Sequence, residues 1–65
     1  MITVYTTHCP KCKVIETKLK AKNMDYIEVT DMNEIVKLGF QSVPVVEVDG
    51  TIMDFAEANQ WINNQ

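Results

Sequence analysis

Two cysteines in the segment His8-Cys9-Pro10-Lys11-Cys12 have the residue types and the spacing for thiol–disulfide chemistry, since they can close a small disulfide ring. The segment follows a short β-like run and precedes a helical pattern. Proline is well tolerated at the first position of a helix, so Pro10 predicts Cys9 as the N-cap and Cys12 as the third helical residue. Amide groups of Lys11 and Cys12 would then approach the Cys9 sulfur, and the helix dipole would add to their effect. Both effects favour the reactive thiolate over the thiol.

This placement predicts different roles for the two sulfurs. Cys9 attacks a disulfide, and Cys12, deeper in the helix, attacks the resulting mixed disulfide and releases the reduced partner. Histidine is the side chain suited to changes of charge near neutral pH, so His8 either tunes the Cys9 thiolate or relays a proton, or is a solvated loop residue. Lys11 and Lys13 either help to hold the thiolate or to steer an acidic partner, or are ordinary exposed helix residues. The sequence thus predicts a dithiol oxidoreductase with Cys9 and Cys12 as its catalytic pair.

Two metal-binding interpretations compete with this one. A zinc site usually has four ligands, and only Cys9, Cys12 and His8 are close in sequence, so we predict no metal site. A Cu(I) metallochaperone also carries a CxxC motif between a first strand and a first helix, and soft thiolates suit Cu(I). Such proteins usually have Met where Thr7 stands, lack a role for Pro10, and have β-α-β rather than β-β-α in their second half. Cu(I) transport is therefore the alternative function.

Length and composition predict a single small domain over residues 1–65. The net charge of −3 leaves no basic surplus for nucleic acid or an anionic membrane. The apolar runs fall short of the roughly 18 residues that a membrane span needs. Two cysteines cannot form the disulfide scaffold of a small secreted domain, and no leader pattern is visible at the start. We therefore expect a cytoplasmic monomer that binds neither nucleic acid nor membrane.

Hydrophobic periodicity and turn residues predict the element order β-α-β-α-β-β-α. The strands are expected at 2–6, 26–30, 44–48 and 51–53, and the helices at 10–22, 32–38 and 55–63. Val14, Ile15 and Leu19 are expected to face the core, with Glu16 paired to Lys20 on the first helix.

Local signals predict where these elements begin and end. Asn23 and Gly39 are expected to stop the first two helices. The spacing Asp31/Glu34 and Asp54/Glu57 predicts a capping box at the start of each of the other two helices, and Asp49-Gly50 predicts a tight hairpin.

With these elements in place, the chain resembles the glutaredoxins, small members of the thioredoxin fold. The likeness rests on Cys9-Pro10-Lys11-Cys12 after the first strand, Ser42-Val43-Pro44-Val45-Val46 at the third strand, and the Asp49-Gly50 hairpin. It implies an α/β fold with a four-stranded mixed sheet of order 2-1-3-4 and three flanking helices. It also implies a cis Val43–Pro44 bond beside the sulfurs, with the Val43 backbone directed at the dithiol.

The same resemblance implies partners and a reaction. The substrate would be a protein that contains a disulfide, with ribonucleotide reductase as one candidate, and the only redox group would be the Cys9–Cys12 disulfide itself. The electron source would be glutathione or thioredoxin reductase. The family often has Gly-Gly before the last helix, where this chain has Ile52-Met53-Asp54-Phe55, so the reductant stays open between the two. Asp54 is either an N-cap or a contact for glutathione or a partner amine.

Overall fold

The computed structural model describes residues 1–65 and contains four strands and three helices in the predicted order. The strands are β1 (Ile2–Tyr5), β2 (Ile27–Val29), β3 (Val45–Val48) and β4 (Thr51–Met53). The helices are α1 (Pro10–Ala21), α2 (Met32–Lys37) and α3 (Phe55–Asn63). Every predicted element is present, and its ends agree with the prediction to within one residue. None of the three helices combines the length and hydrophobicity required to cross a bilayer.

The four strands form one mixed sheet of order β2-β1-β3-β4, as the family resemblance implied. β1 pairs in parallel with β2, with Tyr5 opposite Val29, and antiparallel with β3, with Tyr5 opposite Val45. β3 and β4 are antiparallel neighbours joined by the predicted hairpin. Both turn residues, Asp49 (φ 49°) and Gly50 (φ 89°), have positive φ, which is the requirement of a type I′ turn.

The hydrophobic core lies between the sheet and the pair of helices α1 and α3. Its fully buried members come from both helices and from the two central strands: Val4, Ile15, Leu19, Val46, Ala58 and Ile62. Val14 was predicted to join them, but 40% of its surface is exposed, because its position on α1 turns it away from the sheet. On the opposite face of the sheet, the Tyr5 ring meets Phe40 edge to face, with 5.0 Å between the ring centroids.

The helix ends follow local rules with one exception. Asn23 (φ 56°) and Gly39 (φ 85°) end α1 and α2 in the left-handed conformation expected of a C′ residue. The capping box at Asp54 and Glu57 is complete, with hydrogen bonds of 2.9 and 3.2 Å. The predicted box at Asp31 and Glu34 is wrong, because Asp31 accepts from the amide of Asn33 and Glu34 returns no bond.

Candidate functional site

The two cysteines lie at the junction of the loop after β1 with α1, in the predicted positions. Cys9 is the N-cap of α1, with extended backbone (φ −66°, ψ 169°), and Pro10 is the first helical residue. The Cys9 sulfur accepts a hydrogen bond from the amide of Cys12 at 3.2 Å. The predicted second bond, from the Lys11 amide, is not formed. Because one N–H points at this sulfur from the first turn, negative charge on the sulfur is stabilised there.

Burial differs between the two sulfur-bearing residues. Both cysteines are free thiols, and Cys9 is partly exposed whereas Cys12 is fully buried. Burial acts to raise the pKa of the Cys12 thiol, but hydrogen bonds from the Cys9 thiol, from the Thr6 hydroxyl and from nearby amides outweigh it, so the pKa lies below its usual value. The Thr6 hydroxyl has one proton and donates it to Glu16 at 2.8 Å, so we assign most of this effect to the Cys9 thiol.

His8 is a loop residue whose side chain is half exposed, and both its backbone and its ring are held by contacts. Its backbone is left-handed (φ 60°), a conformation that costs a non-glycine residue about 1–2 kcal/mol. Its amide donates to the Thr6 hydroxyl oxygen at 3.0 Å. Its ring bridges two carboxylates, with Nδ1 at 3.3 Å from Glu16 and Nε2 at 2.9 Å from Glu28. The loop before Cys9 is therefore tied to both α1 and β2.

These three side chains also offer metal-ligand atoms that lie within 4.8 Å of one another. Each nitrogen of the His8 ring already faces a different carboxylate, Glu16 on one side and Glu28 on the other. An imidazole that bridges two carboxylates does not direct three ligands at a single point. The chemistry of the cluster is therefore that of a hydrogen-bond network.

A second part of the site is a shallow cavity of about 290 Å³ that joins α1, the segment before β3 and the start of α3. Four predicted site residues line it together with Phe55, namely Lys11, Val43, Pro44 and Asp54. The Lys11 ammonium lies over the Phe55 ring, 5.4 Å from its centroid, which is within the range of a cation–π contact. The Val43–Pro44 bond is cis, as predicted, and Pro44 is fully buried.

The structure thus brings the predicted residues together in two adjoining groups. Cys9, Cys12, Pro10 and His8 lie at the start of α1, and the cavity with Lys11, Val43, Pro44 and Asp54 lies beside it, Lys11 linking the two. Asp54 caps α3 with its side chain and also borders the cavity, so both of its predicted roles remain compatible with its position.

Sequence reasoning missed the side chains that hold this loop, namely Thr6, Glu16 and Glu28. Glu16 was predicted to pair with Lys20, but the structure buries it at the sheet, where it contacts Thr6 and His8. A signal for this was present, since residues i and i+4 lie on one face of a helix and Glu16 follows the buried Cys12 by four. Glu28 had no such signal, because its contact with His8 depends on the pairing of β2 with β1.

Comparison with known proteins agrees with this architecture. Residues 1–55 match the family model described as a thioredoxin domain. The chain belongs to the thioredoxin-fold family. A glutaredoxin-like 8.6 kDa protein encoded in a rubredoxin operon of Clostridium pasteurianum is 39% identical, with 82% of this chain and 81% of the relative aligned.

A solved structure supports the same assignment. The crystal structure of a mutant of the thioredoxin-like protein BC3987 superposes with a TM-score of 0.71 at 28% identity, covering 98% of this chain and 100% of the other. This glutaredoxin-like protein therefore has the thioredoxin fold over its described length, with β-β-α in the second half. That order differs from the β-α-β half expected of the alternative Cu(I) metallochaperone.

Proposed function

We propose that this glutaredoxin-like protein is a dithiol–disulfide oxidoreductase that reduces disulfides in partner proteins. One observation carries the proposal: a partly exposed sulfur, that of Cys9, caps α1 and accepts the amide of Cys12, while Cys12 lies buried one turn behind it. Loss of one proton from the pair leaves a negative charge that the two hydrogen-bonded sulfurs share. On Cys9 that charge also faces the Cys12 amide and can be reached by a partner, whereas Cys12 can be reached only by an internal sulfur. The comparisons support a redox protein of this family.

The reaction proceeds by two exchanges. The Cys9 thiolate attacks one sulfur of the partner disulfide, that S–S bond breaks, and the other partner sulfur leaves as a thiolate that takes a proton from water. Cys12 then gives its proton to water and attacks the Cys9 sulfur, the bond between Cys9 and the partner breaks, and the second partner sulfur leaves as a thiolate. A Cys9–Cys12 disulfide forms, two electrons have passed to the partner, and an external thiol system restores the dithiol.

The cavity beside the dithiol is the proposed contact for the polypeptide around the partner's disulfide. It offers the Val43 backbone to an extended segment, in the manner of an added strand. It also offers one positive and one negative side chain, Lys11 and Asp54, at its border. The electron source remains either glutathione or thioredoxin reductase, ribonucleotide reductase remains one candidate target, and the chemistry suits a reducing compartment such as the cytoplasm.

The roles of the two cysteines are tested by single serine variants in an insulin-reduction assay. Cys9→Ser is expected to lose all turnover, because no other exposed thiol remains. Cys12→Ser is expected to stop after the first exchange and to accumulate a mixed disulfide, which mass spectrometry detects as one added partner chain. Circular dichroism is the check that both variants are folded. Turnover by folded Cys9→Ser would refute the proposal.

The reductant is identified by the same assay run with two electron sources. Glutathione with its reductase and thioredoxin reductase are compared at equal protein concentration. If insulin is reduced with only one of the two electron sources, that source is the reductant. Stoichiometric Cu(I) binding without any exchange activity would instead support the alternative, a metallochaperone.

A further inference from the structure

Glu16 makes hydrogen bonds to two residues, Thr6 and His8, of the loop before Cys9. Its carboxylate is nearly buried on α1, one turn beyond Cys12, and both of its hydrogen-bond partners, Thr6 and His8, belong to that loop. One oxygen accepts the Thr6 hydroxyl proton at 2.8 Å, and both oxygens lie 3.3 Å from Nδ1 of His8. A buried carboxylate is costly unless it is paired and hydrogen-bonded, so these contacts account for its presence under the loop.

Glu16 acts on His8 by two routes. Because the Thr6 hydroxyl gives its only proton to Glu16, its oxygen is left to accept the amide of His8, at 3.0 Å. The second route is the direct contact with the His8 ring, which Glu28 completes from β2 at 2.9 Å. Together these contacts hold a non-glycine residue in the left-handed conformation, with φ of 60°.

That conformation sets the direction in which the chain enters Cys9, the next residue. An N-cap side chain reaches the amide of the third helical residue only when the backbone arrives in the extended geometry seen at Cys9. If His8 relaxed to a negative φ, the Cys9 sulfur would move away from the Cys12 amide, now 3.2 Å distant. The contacts of Glu16 therefore influence the position of the Cys9 sulfur through the backbone conformation of His8.

We propose that Glu16 is a positioning residue for the redox reaction, one that keeps His8 left-handed and so keeps the Cys9 sulfur against the Cys12 amide. The inference rests on the proposed function, in which Cys9 is the nucleophile. Glu16 touches no substrate in this scheme. Its role is conformational, and a glycine at position 8 would make it unnecessary, because glycine adopts positive φ at no steric cost.

A mutant cycle tests this role in a Cys12→Ser background, where Cys9 is the only thiol. Glu16→Met keeps the length of the side chain and removes its acceptor oxygens. We expect it to lower the rate of Cys9 alkylation by iodoacetamide at neutral pH by about five- to tenfold, the equivalent of one N-cap hydrogen bond. The matched control is Glu34→Met, an exposed α2 glutamate whose side chain makes no hydrogen bond, which should leave the rate unchanged.

The decisive comparison adds His8→Gly. In that background Glu16→Met should change the alkylation rate by less than about twofold, since glycine needs no support at positive φ. If Glu16→Met lowered the alkylation rate equally with histidine and with glycine at position 8, Glu16 would only stabilise the fold. That result would overturn the proposal.

A second pair keeps the test decisive if Glu16→Met does not fold. His8→Ala and His8→Gly both remove the ring, but only alanine resists the left-handed conformation, so alkylation should be several-fold slower in His8→Ala. Equal rates in the two would overturn the proposal. Disulfide-exchange turnover is measured separately in the chain with both cysteines. Absent turnover there refutes the proposed function, whereas a wild-type alkylation rate in Glu16→Met refutes the positioning role alone.

Discussion

At the scale of single residues, the site depends on charges that face one another across elements. Glu16 on α1 and Glu28 on β2 contact the His8 ring, and their negative charges also act on Tyr26. Burial raises the pKa of Tyr26 above its usual value, and repulsion between its phenolate and these two carboxylates raises it further. The titration of Tyr26 therefore reports the charge of this cluster from outside the dithiol.

Glu28→Gln should lower the pKa of Tyr26 toward its ordinary value near 10, because one of the two repelling charges is removed. The chain has two tyrosines, so the measurement uses a Tyr5→Phe background, in which alkaline tyrosinate absorbance reports Tyr26 alone. Glu34→Gln is the matched control, since Glu34 acts on Tyr5 and not on Tyr26. An unchanged titration curve in Glu28→Gln would contradict the proximity of Glu28.

The same shift has a consequence for stability at high pH. The folded chain holds the Tyr26 proton more tightly than the unfolded chain, which releases it near pH 10. Between that pH and the raised pKa the unfolded state binds fewer protons, so the free energy of unfolding falls as pH rises through this window. Below pH 10 this contribution is constant. Glu28→Gln should narrow the pH range over which the free energy of unfolding falls, because it lowers the pKa of Tyr26 in the folded chain. Denaturant titrations at several alkaline pH values would measure this free energy.

At the scale of elements, each helix that borders the site begins at a cap that also lies in the site. Cys9 caps α1 with a sulfur, and Asp54 caps α3 with a carboxylate whose box partner is Glu57. Asp54 lines the cavity beside Val43 and Pro44, and Lys11, two residues after Cys9, lines it from α1. Helix stability and the shape of the site therefore depend on the same residues. A cap variant must be measured for both stability and activity, so that the two effects can be told apart.

Asp54→Ala should lower the free energy of unfolding by about 0.5–2 kcal/mol, because the amide of Glu57 loses its acceptor. Asp54→Ser should recover most of that loss, since a hydroxyl also caps well. Urea unfolding measures the stability, and insulin reduction at a temperature where every variant is folded measures activity. If Asp54 is only a cap, both variants retain wild-type turnover. A loss of turnover in Asp54→Ser would assign its carboxylate to partner binding instead.

At the scale of the whole molecule, a 65-residue chain has a small margin of stability. At about 0.05–0.15 kcal/mol per residue, the total free energy of unfolding is roughly 3–10 kcal/mol. The packing of α1 and α3 against β1 and β3 supplies the continuous core, and the dithiol lies at the N-terminal end of α1. The geometry of the site therefore depends on helices anchored in a minimal core.

Leu19→Ala should cost about 2–5 kcal/mol, because Leu19 is fully buried between α1 and the sheet. Leu38→Ala is the matched control, since half of the Leu38 surface is exposed, and it should cost clearly less. Denaturant unfolding compares the two. Equal losses would contradict the placement of the core between the sheet and the pair α1 and α3.

The sequence by itself determined the features that are encoded within a few residues. Element order, the stops at Asn23 and Gly39, the Asp49-Gly50 turn and the Cys9 cap all follow from local backbone preferences, which neighbouring residues express without the rest of the chain. The sheet order and the cis bond before Pro44 were reached through family resemblance rather than through local rules. The missing capping bond at Glu34 shows that spacing permits a contact without requiring it.

Only the tertiary structure decided which distant side chains meet. His8 lies against Glu28 because β2 pairs beside β1, and Tyr5 meets Phe40 because the segment after α2 comes against β1. Glu16 turned inward although its sequence neighbours favoured an exposed pair with Lys20, since partners for its charge were available at the loop. Whether a polar side chain stays in water or turns inward depends on partners that are brought near it only by folding. Neighbouring residues in the sequence do not reveal those partners.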